Sequence, residues 1–452
     1  MAYESTFLEK ESILKLIPKL SFPAMVGMIA QALYNVVDAI FVGRGVGMLA
    51  IAGISIAFPI QMVIMATAQI IGVGSASIIS RSLGEKNREK AEKTLGNLMS
   101  STLLLSAIAA SFGLYFLEPI LRLFGATDAI LPFAAAYMKI LFAGSVFFAF
   151  SIACNNAVRA EGNATFAMQT MLISAGVNVV LDPIFIFILG MGIQGAAIAT
   201  VIAQASTALW LGLYYLRGKS DVRFSLRNLK PQFNILSEVI AIGLSAFLRQ
   251  GAASLSLVVI NRQLAFWGGD AAIAAIGILL RITQFAVMPI FGIVQGLLPI
   301  VGYNFGARLF CRVTTAMKLT IAISTFLCFL SAALLYFMPE TLISLFSTNR
   351  ELLPLGITAS RYMAIGFPFI GFQVMASGLY QAIGKAVPAL FLSLLRQVLL
   401  LIPLVLFLPS IYGLQGIWKA YPISDVLAAI ITLILYRREM QRLTTLCSER
   451  LR

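Results

Sequence analysis

Apolar runs of spanning length recur along the whole chain, at approximately 14–42, 50–80, 95–117, 133–157, 165–189, 193–216, 235–266, 272–303, 319–338, 354–382, 388–409 and 413–436. A hydrocarbon core needs about 20 apolar residues to be crossed as a helix. Lipid offers no hydrogen bonds, so every backbone amide within it must find a partner inside the protein. Each run is therefore predicted to be a helix, and twelve of them leave room for little else. The expected fold is an all-α integral membrane bundle. A content of 60% hydrophobic and 12% charged residues agrees, because no soluble domain is so apolar.

The net charge of +14 would suit nucleic acid, but its placement speaks for topology. Arg81, Lys86, Arg88, Lys90 and Lys93 share one side with Arg159, the Arg217–Lys230 stretch, Arg308, Arg312, Lys318, Lys385 and the basic C-terminal end. The other side offers Arg44, Arg122 and Arg350 against Glu118, Asp128, Asp270, Glu340 and Glu351. The positive-inside rule puts the first side and both termini in the cytoplasm of a plasma (inner) membrane. No nucleic-acid partner is expected, and a monomer in the bilayer suffices. Residues 1–16 lack the apolar core of a cleaved signal.

Several chemistries are excluded. The chain has no histidine, which removes His-based triads, His-liganded zinc and His relays. Cys154, Cys311, Cys328 and Cys447 are scattered and read as ordinary core or surface cysteines. No phosphate-binding Gly-Lys-Ser/Thr loop is present. The chain is not expected to be an enzyme or to hold a cofactor, and uphill transport would need an ion gradient.

The chain repeats itself. Gly84 and Gly306 lie in matching loops 222 residues apart, as do Gly162 and Gly384, while Gly195 and Gly416 stand 221 apart. Two six-helix halves follow: a lobe over 1–216, a cytoplasmic linker over 217–234, a second lobe over 235–436 and a cytoplasmic tail over 437–452. An even helix number gives both halves one orientation, with substrate between them near the midplane.

Intramembrane acids are costly and mark ion paths. Gln31, Tyr34, Asn35 and Asp38 share one face of the first helix, which must line a wet cavity or a polar cluster. Pro23 offers that helix a bend. In the fifth helix Asn178 and Asp182 share a face, and Pro183 deprives the carbonyl of Val179 of its helical donor. With Thr200 of the sixth helix these oxygens suit Na⁺, and the same acids suit H⁺. The alternative is a purely structural tie between helices five and six. Asn155 and Asn156 could reach the cavity or cap the turn after Arg159. In the second half Arg249 and Arg396 could face the cavity and meet an anionic group, or pair with Asp425.

The duplicated halves, the stretch Tyr34-Asn-Val-Val-Asp38-Ala-Ile-Phe-Val-Gly43, the Gly84 and Gly306 loops and Asn178-Val-Val-Leu-Asp182-Pro183 together resemble the MATE (multidrug and toxic compound extrusion) transporters over essentially the whole chain. The resemblance implies a V-shaped, two-lobed fold, alternating access, and export coupled to H⁺ or Na⁺ entry. It points to Asp38, Asn178, Asp182 and Thr200 as a first-lobe cation site and to Pro23 as the bend. NorM-type members carry acids in helices seven and ten; here 243–254 and 367–377 have none, so the chain looks closer to the DinF-like and MepA-like branches. The expected function is an antiporter exporting amphipathic organic compounds. The alternative is a flippase or exporter of lipid-linked or anionic polar substrates.

Overall fold

The computed structural model describes residues 5–346 and 352–451, without the side chains at positions 35, 39, 48, 450 and 451. The topology charges Arg350, Glu351 and Arg452, and the side chain of Asn35, thus lie outside the described residues. The helices of the first half are α1 (Ile13–Gly45), α2 (Met48–Gly84), α3 (Arg88–Tyr115), α4 (Leu131–Ala160), α5 (Ala164–Pro183, continued by a π turn Ile184–Ile188) and α6 (Gly192–Leu216). The run Phe233–Gly306 breaks where Gly269 takes φ 65°, giving α7 (233–268) and α8 (270–306). Then come α9 (Phe310–Phe337), α10 (Leu352–Ala382), α11 (Ala386–Tyr412) and α12 (Leu414–Leu451). The tail expected over 437–452 is, as far as it is described, a helical extension of α12.

Many helices overshoot the membrane. The 37 residues of α2 would rise about 55 Å, against a core near 30 Å. The apolar runs of the sequence mark the middle of each helix and not its ends. Large exposed apolar side chains such as Leu104, Phe112 and Phe326 face outward, where the solvent is lipid.

The internal repeat is written into the backbone. Left-handed residues recur 222 positions apart at Gly47 and Gly269, Lys86 and Arg308, and Gly162 and Gly384, and 221 apart at Gly192 and Gly413. Gly84 and Gly306 serve a different purpose. A Cβ on Gly84 would stand 1.9 Å from the carbonyl oxygen of Tyr303, and one on Gly306 2.1 Å from that of Arg81. Gly74 against Val239 and Gly243 against Ile70 are equally tight, at 2.0 and 1.8 Å. Thus α2 meets α7 and α8 backbone to backbone, an approach only small residues permit.

Those contacts lie at the end of the bundle that carries the basic loops. There a single apolar core, including Leu16, Ile78, Leu83, Val239, Ile300 and Tyr303, spans both halves. Polar ties reinforce it: Ser80 Oγ donates to Pro299 O at 3.1 Å, Arg81 pairs with Glu238 at 2.7 Å, and Asn304 donates to Leu8 O at 3.1 Å. Toward the other end the core divides. One cluster holds Val42, Ile60, Met138 and Ile193; another holds Leu264, Leu279, Val405 and Trp418. The molecule is a V, joined at the basic end and parted at the opposite one.

The cysteines differ from the sequence reading. Cys311 in the first turn of α9 is disulfide-bonded to Cys447 in the α12 extension, while Cys154 and Cys328 are free and buried. A separation of 136 residues hides the pair in the sequence, because only the packing of α9 against α12 brings it together.

Candidate cation and substrate site

One face of α1 packs against α5. Gly27 admits Met171 at a spacing where a Cβ would come within 2.7 Å of the sulfur, and Gly45 admits Ile186 and Phe187. This close approach sets Asp38 of α1 beside Asp182 of α5, with both carboxyl groups buried and within electrostatic reach of each other. Asn178 lies one turn from Asp182, and its amide donates to Asp182 Oδ1 at 3.2 Å and to Thr200 Oγ1 of α6 at 3.3 Å. Pro183 and the π turn after it follow Asp182 directly, so the local ladder is irregular beside the acids.

Three oxygens of this cluster, Asp38 Oδ1, Asn178 Oδ1 and Asp182 Oδ2, are buried without a hydrogen-bond partner among the described residues. Buried polar atoms are nearly always satisfied, so three together are informative. The donor set is all oxygen, which fits a proton or a hard monovalent cation. No group of three or more His, Cys, Asp or Glu side chains gathers among the described residues, so a multi-carboxylate metal centre is not built here.

The other expected residues divide. Tyr34 is hydrogen-bonded by Gln31 and lies within electrostatic reach of both acids, so both side chains join the cluster. Asn155 is turned away and braces α4 against α5, donating to Ala167 O at 3.0 Å and to Thr170 Oγ1 at 2.7 Å. Asn156 reaches Gln69 of α2 at 3.0 Å and accepts from Arg159 at 2.9 Å, beside a small cavity between the halves that Gln295 and Gln381 also line. The cap expected of these asparagines is supplied by Asn163, which accepts from the Phe166 amide. Arg249 is partly buried on α7 next to Gln250, whose amide meets Met62 of α2 at 3.3 Å. Pro23 sits inside an unbroken α1. Arg396 pairs with Asp425.

Two residues escape the sequence reading. Tyr137 of α4, bonded by Gln61, is buried within reach of Asp38, Tyr34 and Asp182; one tyrosine among thirteen gives no signal. Glu161, beyond the end of α4, is fully buried and accepts from Tyr214 at 3.2 Å, Ser220 at 2.7 Å and the Asp221 amide at 3.3 Å. Burial pushes its carboxyl up to about 8. Its one sequence signal is a place in the Gly162 repeat loop.

Comparison with known proteins agrees with this fold. The MatE family model matches twice, over 23–184 and 246–407. The Multidrug export protein MepA of Staphylococcus haemolyticus is 28% identical over 438 residues, covering 97% of this chain and 96% of the relative. That of Staphylococcus aureus is 27% identical, covering 98% of each. Among solved structures, the MATE multidrug transporter DinF-BH in complex with rhodamine 6G is 45% identical with a TM-score of 0.87, over 94% of this chain and 95% of that one. A MOP superfamily transporter from Pyrococcus furiosus is 28% identical with a TM-score of 0.92, over 98% and 99%. The chain belongs to the MATE family of integral membrane transporters and is not an enzyme.

Proposed function

We propose that this protein is a secondary antiporter that exports amphipathic organic compounds in exchange for H⁺ or Na⁺. The observation that carries the reading is the buried Asp38–Asp182 pair, with three partnerless oxygens around it and no Lys or Arg bridged to it among the described residues. Asp38, Asn178, Asp182 and Thr200 form the coupling site. Gln31 and Tyr34 face the substrate, with Asn155, Asn156 and Arg249 as the outlying candidates. Cation entry neutralises the pair, changes the packing of α1 about Pro23, and favours release of substrate through the parted end of the V. One elementary charge crossing 100 mV yields about 2.3 kcal/mol, enough to concentrate a substrate several tens of fold.

The working units are a lobe over 1–216, a linker over 217–234, a lobe over 235–436 and a tail over 437–452. The double family match and the recurrent left-handed residues support that division. A monomer with both termini in the cytoplasm is the expected arrangement, supported by the basic loops at the joined end.

The neighbour solved with rhodamine 6G makes that compound the first probe. Its efflux from proteoliposomes is expected to respond to a proton or a sodium gradient imposed alone. Asp38→Asn and Asp182→Asn should each abolish that response; unimpaired gradient-driven efflux in both would refute the coupling site. A flippase is the second reading, favoured by Arg159 at the cavity between the halves and Arg249 on α7. Competition by a lipid-linked sugar, with no effect of cationic dyes, would select it.

A further inference from the structure

Between α9 and the extension of α12 runs a groove of about 520 Å³ with two cations on its walls, Lys318 and Arg437. Neither cation makes an ion pair among the described residues, and no carboxylate lines the groove. Glu439 of the extension is turned elsewhere, held by Lys385 and Arg442. The hydroxyls of Thr444, Thr445 and Ser448 donate back to their own helix. Free donors toward the groove are therefore Lys318, Arg437 and the Gln441 amide.

Its place in the fold narrows the ligand. The groove begins at the Tyr436 ring and ends near Ser448, beside Cys447, whose disulfide with Cys311 ties its two walls together. Immediately inward the same helices expose Ile323, Phe326, Ile430 and Ile434, an apolar surface suited to acyl chains. A site with cations above and exposed hydrocarbon below suits an anion that carries its own acyl chains. We infer that this groove binds the headgroup of an anionic phospholipid, the phosphate lying between Lys318 and Arg437. Basic pockets between helices at the cytoplasmic surface recognise such headgroups in the same way. The inference rests on the chain spanning the bilayer and is independent of the transport reading.

The test uses full-length protein in detergent, with phosphatidylglycerol or phosphatidylcholine of identical acyl chains added and retained lipid counted by native mass spectrometry. The wild type is expected to prefer phosphatidylglycerol roughly tenfold, as two basic residues near a lipid surface allow. In K318Q/R437Q the preference should vanish, whereas R223Q/R227Q, altered at exposed linker arginines, should keep it. Millimolar inorganic phosphate should not displace the lipid. Equal retention of both lipids by the wild type would overturn the proposal. So would an unchanged preference in K318Q/R437Q, an equal loss in R223Q/R227Q, or displacement by phosphate, which would mark a site for a soluble anion.

Discussion

The two halves share one backbone plan and handle buried charge in opposite ways. In the first, Asp38 and Asp182 face each other with only neutral partners, Asn178, Thr200 and Tyr34, and three oxygens go unpaired. In the second, Asp425 is answered by Arg396 on the neighbouring helix, and Gln373 donates to its backbone carbonyl. Gly366 makes room for that carboxylate: a Cβ there would stand 2.3 Å from Asp425 Oδ2. A buried acid with its own arginine is compensated within the protein, while a buried acid pair without one is compensated only by a proton or a cation. Duplication supplied the scaffold twice; the first half sets two acids side by side, and the second sets one acid against an arginine.

The largest expected effect breaks the first half. Asp38→Asn or Asp182→Asn should reduce gradient-driven efflux to background, with folded protein still recovered at normal yield. Next comes the second half. Asp425→Asn leaves the partly buried Arg396 uncompensated, which should cost about 2 kcal/mol and show as a lower melting temperature. The pair R396Q/D425N should recover much of that loss, and coupling should persist in it. A smaller effect is expected from Asn178→Ala, which removes the bridge from Asp182 to Thr200 at roughly 1 kcal/mol and weakens cation affinity more than stability.

A pH-dependent effect lies in the loops. Glu161 ordinarily titrates near 4.5 and in the fold near 8, so the folded protein holds the proton more tightly. Its stabilising contribution is complete below about 4.5, declines as pH rises toward 8, and is level beyond. Melting curves across that range should slope for the wild type and flatten for Glu161→Gln. A wild-type curve without slope would remove the effect.

Much of this is legible in the sequence, because membrane physics reads through composition. Apolar length gives the twelve helices, Lys and Arg placement gives a topology, and a constant spacing of loop glycines gives the repeat. Asp38, Asn178 and Asp182 stand out because acids are rare in such helices, and Pro183 because it breaks a ladder. What stays hidden depends on packing. Tyr137 and Gln61 are ordinary residues that matter only through their neighbours. The Asn155 amide is spent on α5, which no spacing along α4 foretells. The Cys311–Cys447 bond likewise joins residues of separate helices, whereas the Arg396–Asp425 pair is among the alternatives the sequence offers. The glycine seam of α2 shows in the sequence through its loops, whereas its physical role is close approach.

The central claim is that substrate and cation compete through the first-half acids, and it can be read without a gradient. Purified protein in weakly buffered detergent would receive rhodamine 6G while released protons are followed with an indicator and displaced ²²Na⁺ is counted. The wild type and R396Q/D425N should release one of the two ions on substrate addition, and D38N/D182N should release neither. Release from D38N/D182N equal to that of the wild type would contradict the account.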